Sequence, residues 1–410
     1  MKTYRLQIIA FVLLAWLAGS GCQQIKDTPT HPLILISIDG FRWDYLDTYQ
    51  PPYLTRLARE GVRAEALIPV FPTKTFPNHY SIVTGLYAEH HGVIANRMYD
   101  PIMDAYFSLG NRQAVQDGRW YGGEPIWVTV EKSGKVSATF FWPGSEAEIQ
   151  GYRPTYWKTY DESIPNDARV QQVLEWLALP EEKRPVLITL YFSDVDHWGH
   201  RAGPDSPELA RAVQQVDSAI GKLLDGLHGM GMDDQVNLII VSDHGMTRTS
   251  PDRIIFLDDY IQMDHVEVLD WSPVLALRPR PGRVDSVYRA LKGAHPHLTV
   301  YKKAEIPERF HYRSHIRIPA IIGLADEGWS ITTRSYFERN RDRYQGGTHG
   351  YDNRLASMRG IFLARGPAFK SGVVVDDFLN IHLYELMAHL LNVPPVPNDG
   401  SLDSVRTFLR

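Results

Sequence analysis

Five short stretches each end an apolar run in residues that ligate metals. LILISIDG carries Asp39, and PTKTFPN carries Thr75. YFSDVDHWGH carries Asp196 and His200, LIIVSDHG carries Asp243 and His244, and GGTHGYDN carries His349. Together they offer three carboxylates, three imidazoles and a hydroxyl, enough to hold two adjacent divalent ions. Two metals spanning a phosphoryl group stabilise both the attacking and the leaving oxygen of an in-line displacement. The chain is therefore a candidate two-metal hydrolase of phosphate esters. Each stretch alone says little, since an Asp at a strand end more often caps a helix or forms a turn. The signal is the set.

These side chains need elements that aim them at one point. Leu33–Ile38, Val136–Phe141, Val186–Phe192 and Leu238–Val241 are nearly continuous apolar runs, the pattern of strands buried on both faces. The clearest helix is expected over Pro207–His228, with Ser206 as cap, Pro207 in the first turn, an apolar stripe from Leu209 to Leu227, and Gly229 ending it. A second is expected from about Leu379 to Leu391, and a third over Asn78–Leu86, placing Thr75 near a helix N-terminus that favours an anionic phosphate. Strands alternating with helices predict an α/β fold with a largely parallel central sheet flanked by helices. Ligands bind such sheets at the carboxyl ends of the strands, where Asp39, Asp196 and Asp243 fall. Residues 250–345, less regular and rich in Arg, Pro and aromatics, read as an inserted cap.

Bulk composition narrows the class. The 410 residues carry 43 basic and 48 acidic side chains, a formal net charge of −5, so no basic field favours a nucleic-acid polymer. At the N-terminus, Lys2 and Arg5 precede an apolar core from Leu6 to Ala18 and the small residues Gly19, Ser20 and Gly21. This reads as a signal peptide over 1–21, too short for a comfortable transmembrane helix. Cys22 is the single cysteine. Its setting resembles a bacterial lipoprotein cleavage site, although Gly19 stands where an aliphatic residue is usual. The expectation is an exported, periplasmic protein anchored to the membrane through lipidated Cys22, with a tether over 22–31. The alternative is ordinary signal cleavage with Cys22 incidental.

Longer motifs carry a family resemblance. PTKTFPNHYSIVTGLYAEHHGVIANRMYD (72–100) resembles the core signature of nucleotide pyrophosphatase/phosphodiesterases. EPIWVTVEKSG, TFFWPGSEAEIQG, YFSDVDHWGHRAGP, VSDHGM, GGTHGYDN, NIHLYELMAHLLNV and PNDGSL are similar to further blocks in the same order. The resemblance covers the chain from about His31 and implies an alkaline phosphatase-like domain over 32–410 with an insertion at about 250–345. It implies two zinc ions (Zn2+), one held by Asp39, Asp243, His244 and Thr75, the other by Asp196, His200 and His349. Thr75 becomes the nucleophile, Asn96 the donor to a non-bridging phosphate oxygen, and Phe76, Tyr160 and Tyr191 the aromatics that stack a base.

The residue chemistry agrees with that assignment. A threonine hydroxyl needs activation to attack phosphorus, which metal coordination supplies. An amide at Asn96 suits the single charge of a diester, where a phosphomonoesterase would want a cation. Lys74 is left outside the catalytic set. His79, His90, His91 and His197 are read as structural, with His197 on an extended segment pointing away from Asp196. The expected activity is hydrolysis of nucleotide phosphodiester and pyrophosphate bonds to nucleoside 5′-monophosphates. The rival is the same chemistry on lysophospholipid or choline phosphodiesters. A phosphatase proper would carry Ser and Arg in the nucleophile turn, and a sulfatase would carry C-x-P-x-R. A degenerate binding scaffold would have lost ligands, and all seven positions are filled.

Overall fold

The structure, a computed structural model, describes residues 31–410. The expected signal peptide, Cys22 and all but the last residue of the tether lie outside the described residues. The central sheet is built from β1 (Leu33–Ile38), β2 (Val62–Ala64), β3 (Ser137–Phe140), β4 (Tyr156–Trp157), β5 (Leu187–Phe192) and β6 (Asn237–Val241). A second sheet holds β7 (Val266–Asp270), β8 (Val274–Pro279), β9 (Leu298–Lys302) and β10 (Ile321–Ala325); β11 (Phe362–Arg365) and β12 (Val373–Val375) return to the first. Central strand order is β12-β2-β11-β6-β1-β5-β3-β4. The middle strands β3, β5, β1 and β6 run parallel, whereas β11 is antiparallel to both neighbours. The sheet is thus mixed, its expected parallel core flanked by one reversed strand.

β1 shows why its sequence reads as a continuous apolar run. All six residues are buried, with Leu33 and Leu35 packing into one hydrophobic cluster and Ile34, Ile36 and Ile38 into another. Side chains of a strand alternate between faces, so a covered strand must be apolar at every position. The principal helices are α1 (Thr75–Thr84), α2 (Asn166–Leu177), α3 (Asp194–Ala202), α4 (Pro207–Gly229), α5 (Arg334–Arg339) and α6 (Leu383–Leu391). α1 and α6 pack on the first cluster; α2 and α4 pack on the second. Each fully buried aliphatic side chain contributes roughly 1.5–3 kcal/mol.

Helix boundaries differ from expectation for local reasons. Ser206 caps α4 as predicted, its Oγ accepting from Leu209 N at 3.1 Å. The helix takes in Gly229 rather than ending before it. α6 begins at Leu383, because Asn380–His382 winds as a tighter 3-10 turn. α1 starts three residues earlier than expected, at Thr75 itself, with Pro77 accommodated in its first turn where no N–H is needed. Gly85 ends α1 at φ 69°, in the left-handed region that glycine enters without strain.

The stretch between β6 and β11 does not join the central sheet. β7-β8-β10-β9 form an antiparallel sheet with its own apolar cluster, including Ile255, Leu275, Leu277, Leu291 and Ile321.

Candidate active site

Parallel pairing of β5, β1 and β6 brings their carboxyl ends side by side: Ile38 lies opposite Phe192 and Ser37 opposite Val241. Asp39 follows β1 directly, and Asp243 and His244 follow β6 after one serine. Asp196 lies in the first turn of α3 after β5, with His200 one turn on, so both side chains share a face. Residues 194–202 are helical, which corrects the extended segment expected around His197. That side chain is separated from Asp196 by a helical rotation, and its Nδ1 stands 3.8 Å from Glu162 Oε1.

Three overlapping groups of ligand atoms converge, each with atoms within 4.8 Å of one another: Asp196, His200 and His349; Asp39, Asp196 and His244; and Asp39, His79 and Asp243. The imidazoles are fixed in one orientation by backbone carbonyls. Nδ1 of His200 bonds Gly347 O at 2.9 Å, Nδ1 of His244 bonds Gly245 O at 2.9 Å, and Nδ1 of His349 bonds Thr73 O at 2.8 Å. Each Nε2 lone pair therefore points inward, as outer-shell partners arrange in metal sites. His200 Nε2 and His349 Nε2 lie 3.1 Å apart, two acceptors facing each other. Thr75 Oγ1 is 3.3 Å from His244 Nε2.

The carboxylates tell the same story. Asp39 Oδ1, Asp196 Oδ1 and Asp243 Oδ2 are buried and form no hydrogen bond. Orphaned buried carboxylate oxygens are costly unless a cation meets them. Burial, then the nearby Asp243 and Asp196 charges, hold the Asp39 carboxyl well above the ordinary carboxylate range. Burial also works to raise Asp243, but the imidazoles of His244 and His79 outweigh it and hold that carboxyl low. Burial, with His244 and His200 adding to it, keeps His349 neutral well below the usual histidine range. The protein alone under-supplies positive charge here. Asp/His donors without thiolate fit a divalent metal of the zinc type.

Asn96 and the aromatics sit around the nucleophile. Asn96 Oδ1 accepts from Phe76 N at 3.0 Å, which orients the amide so that its NH2 remains to donate to a phosphate. Phe76, Tyr160 and Tyr191 line an apolar pocket of about 130 Å³ beside Thr75, with Leu109, Phe141 and Trp142. It opens from a larger cleft of about 1240 Å³ that holds Asp39, Thr75, Asp196 and His200.

Three contacts went unread in the sequence. Tyr191 O–H donates to Asp39 Oδ2 at 2.6 Å, so this tyrosine braces a ligand as well as lining the pocket. His79 is fully buried against the site: Nε2 meets Ser37 Oγ at 2.7 Å, and Nδ1 lies 2.9 Å from Thr75 O and 3.3 Å from Asp243 Oδ2. Its i+4 spacing from Thr75 was the available clue. Lys74 is also buried, ion-paired with Asp270 at the end of β7, tying the nucleophile turn to the second sheet. Tyr191→Phe keeps the ring but removes the brace. Metal affinity is expected to fall about 10–100-fold with little change in KM, read by zinc titration of the chelator-stripped protein.

Residues 33–352 match the family described as "Type I phosphodiesterase / nucleotide pyrophosphatase". The chain is 41% identical over 408 residues to human ectonucleotide pyrophosphatase/phosphodiesterase family member 5, covering 99% of this chain and 83% of that protein. It is 41% identical over 405 residues to a venom phosphodiesterase of Macrovipera lebetinus, covering 96% of this chain but 47% of that protein. Human family member 1 is likewise 41% identical, and the chain spans 42% of its length. A solved structure of murine ectonucleotide pyrophosphatase/phosphodiesterase 5, an inactive Thr-to-Ala variant in complex with AMP, superposes with a TM-score of 0.88 at 42% identity. The superposition covers 93% of this chain and 100% of that one. The chain belongs to the nucleotide pyrophosphatase/phosphodiesterase family, within the alkaline phosphatase superfamily.

Proposed function

We propose that this member of the family is an exported two-zinc enzyme that cleaves nucleotide phosphodiester and pyrophosphate bonds through a covalent phospho-Thr75 intermediate, releasing nucleoside 5′-monophosphates. One observation carries the reading. Three orphaned carboxylate oxygens and three inward-turned imidazole nitrogens surround a threonine hydroxyl at the first position of a helix.

Zinc held by Asp39, Asp243, His244 and Thr75, and by Asp196, His200 and His349, would lower the pKa of the threonine hydroxyl and of a water and offset charge on the phosphate. The chain's own groups do the rest. The N-terminus of α1 turns its dipole and the N–H of Thr75 toward an anion at Thr75. Asn96 Nδ2 donates to a non-bridging oxygen, and the pocket of Phe76, Tyr160 and Tyr191 holds the base at about 1–3 kcal/mol per stacked ring. Attack by Thr75 Oγ1 on phosphorus expels the leaving oxygen; water then displaces Thr75 and frees the monophosphate. Two in-line displacements predict net retention at phosphorus. Hydrolysis of a chiral phosphorothioate diester with net inversion would remove the covalent step.

Asn96→Ala should lower kcat about 10²–10³-fold, the usual cost of one transition-state donor. Steady-state kinetics on a nucleotide diester checks this, since a change confined to KM would mean ground-state binding only. The AMP complex of the murine relative supports nucleotides over choline or lysophospholipid diesters.

Export and anchoring rest on the Lys2–Cys22 segment. The chain enters the fold at Pro32, whose carbonyl accepts from Asn237 N at 2.8 Å, at the amino end of β1. The ligands lie at the opposite ends of the same strands.

A further inference from the structure

Away from the candidate metal ligands, the cleft wall holds more guanidiniums than unpaired carboxylates. Arg97, Arg201, Arg339 and Arg343 all line it. None of the four forms an ion pair with a carboxylate among the described residues. Arg201 lies over the Trp198 ring at 5.8 Å, and Arg343 Nη1 donates to Tyr336 O–H oxygen at 2.9 Å. The acidic groups on the same wall beyond the ligands are Glu162, Asp270 and Asp342. Asp270 is neutralised by Lys74, leaving two carboxylates against four guanidiniums in a chain whose net charge is −5.

Two of these arginines come from one short segment. α5, capped by Thr333 Oγ1, runs into a 3-10 turn over Arg341–Tyr344. Tyr336 and Arg339 lie three apart on α5 and, together with Arg343 of the 3-10 turn, line the cleft, whereas Arg341 does not. Tyr336 is 39% exposed, an aromatic held in solvent beside two guanidiniums. The base pocket of Phe76, Tyr160 and Tyr191 includes none of these segment residues. The segment therefore lines a part of the cleft outside the base pocket. Guanidinium forks match phosphate oxygens with paired hydrogen bonds.

We infer that Arg339 and Arg343, with Tyr336, form a subsite for the phosphates of the leaving group. The preferred substrates would then be pyrophosphate-linked nucleotides, such as nucleoside triphosphates, rather than diesters with an uncharged leaving group. This inference rests on the nucleotide diesterase reading given above.

The test compares two substrates of the zinc-loaded full-length protein: ATP, and the p-nitrophenyl ester of thymidine 5′-monophosphate, whose leaving group carries no phosphate. Arg339→Ser/Arg343→Ser should lower kcat/KM for ATP by about tenfold or more, mostly through KM, and leave the ester within about threefold. Arg341→Ser removes the same charge from the same segment outside the cleft and should leave both substrates unchanged. Added salt should weaken ATP turnover by the parent protein more than by the double variant, because screening acts on exposed charge. Equal losses on both substrates, or an unchanged ATP to ester ratio, would overturn the subsite while leaving the diesterase reading intact. Failure of the parent protein to cleave either substrate would overturn that reading and the subsite together.

Discussion

Thr75→Ala is expected to lower kcat on a nucleotide diester about 10³-fold or more, because it removes the hydroxyl proposed to attack phosphorus. The variant should still fold, since the substituted residue sits at the first position of α1 and alanine is a good helix former. It should also still bind nucleoside monophosphate, whose base and phosphate contacts belong to other residues. Thr75→Ser keeps the hydroxyl and should retain activity within about tenfold, the loss reflecting a side chain freer at χ1. Acid quench during turnover of a diester labelled in its nucleotide should trap the nucleotidyl group on the parent protein and none on Thr75→Ala. Thr75→Ala turning over at the parent rate would mean that water attacks directly and the threonine only lines the site.

The second large effect is loss of one metal. His349→Ala removes the inward Nε2 that faces His200 Nε2 at 3.1 Å and leaves Asp196 Oδ1 with His200 alone. Bound zinc is expected to fall from two to about one per chain. Activity should drop by more than the roughly 10–100-fold that losing an outer-shell partner costs. His349 also stacks on His244 with ring centroids 3.5 Å apart, so the second site should weaken slightly as well. Metal analysis and kcat together check this; two zinc ions retained with normal kcat would take His349 out of the ligand set.

Proton competition supplies the pH sign. In the metal-free site burial and neighbouring carboxylates raise the Asp39 pKa, so an incoming metal ion competes with a proton for that carboxylate. Apparent zinc affinity should therefore rise with pH and fall as Asp39 is protonated. Calorimetric titration in two buffers of different ionisation enthalpy would show the released proton.

How much of this was legible in the sequence depends on the range of each contact. Asp39, Asp243 and His244 follow buried strands, so an apolar run ending in a polar residue marked them, and parallel pairing placed them together. Asp196 and His200 stand four apart, a helical spacing, although the residue pattern around His197 suggests an extended segment. The brace from Tyr191 to Asp39 was not legible, because its partners are 152 positions apart and the tyrosine alone looks like pocket lining or core. Lys74 and Asp270 are 196 positions apart, and only the folded second sheet brings them together. The reversed strand β11 was also hidden, since a four-residue strand such as FLAR does not reveal its direction.

Product analysis with ATP tests the account most directly. Zinc-loaded protein incubated with ATP should yield AMP and pyrophosphate, because the base pocket beside Thr75 and the amide of Asn96 place the α-phosphorus at the nucleophile. ADP and phosphate as products would place the terminal phosphorus there instead and contradict both the diester assignment and the role given to Asn96.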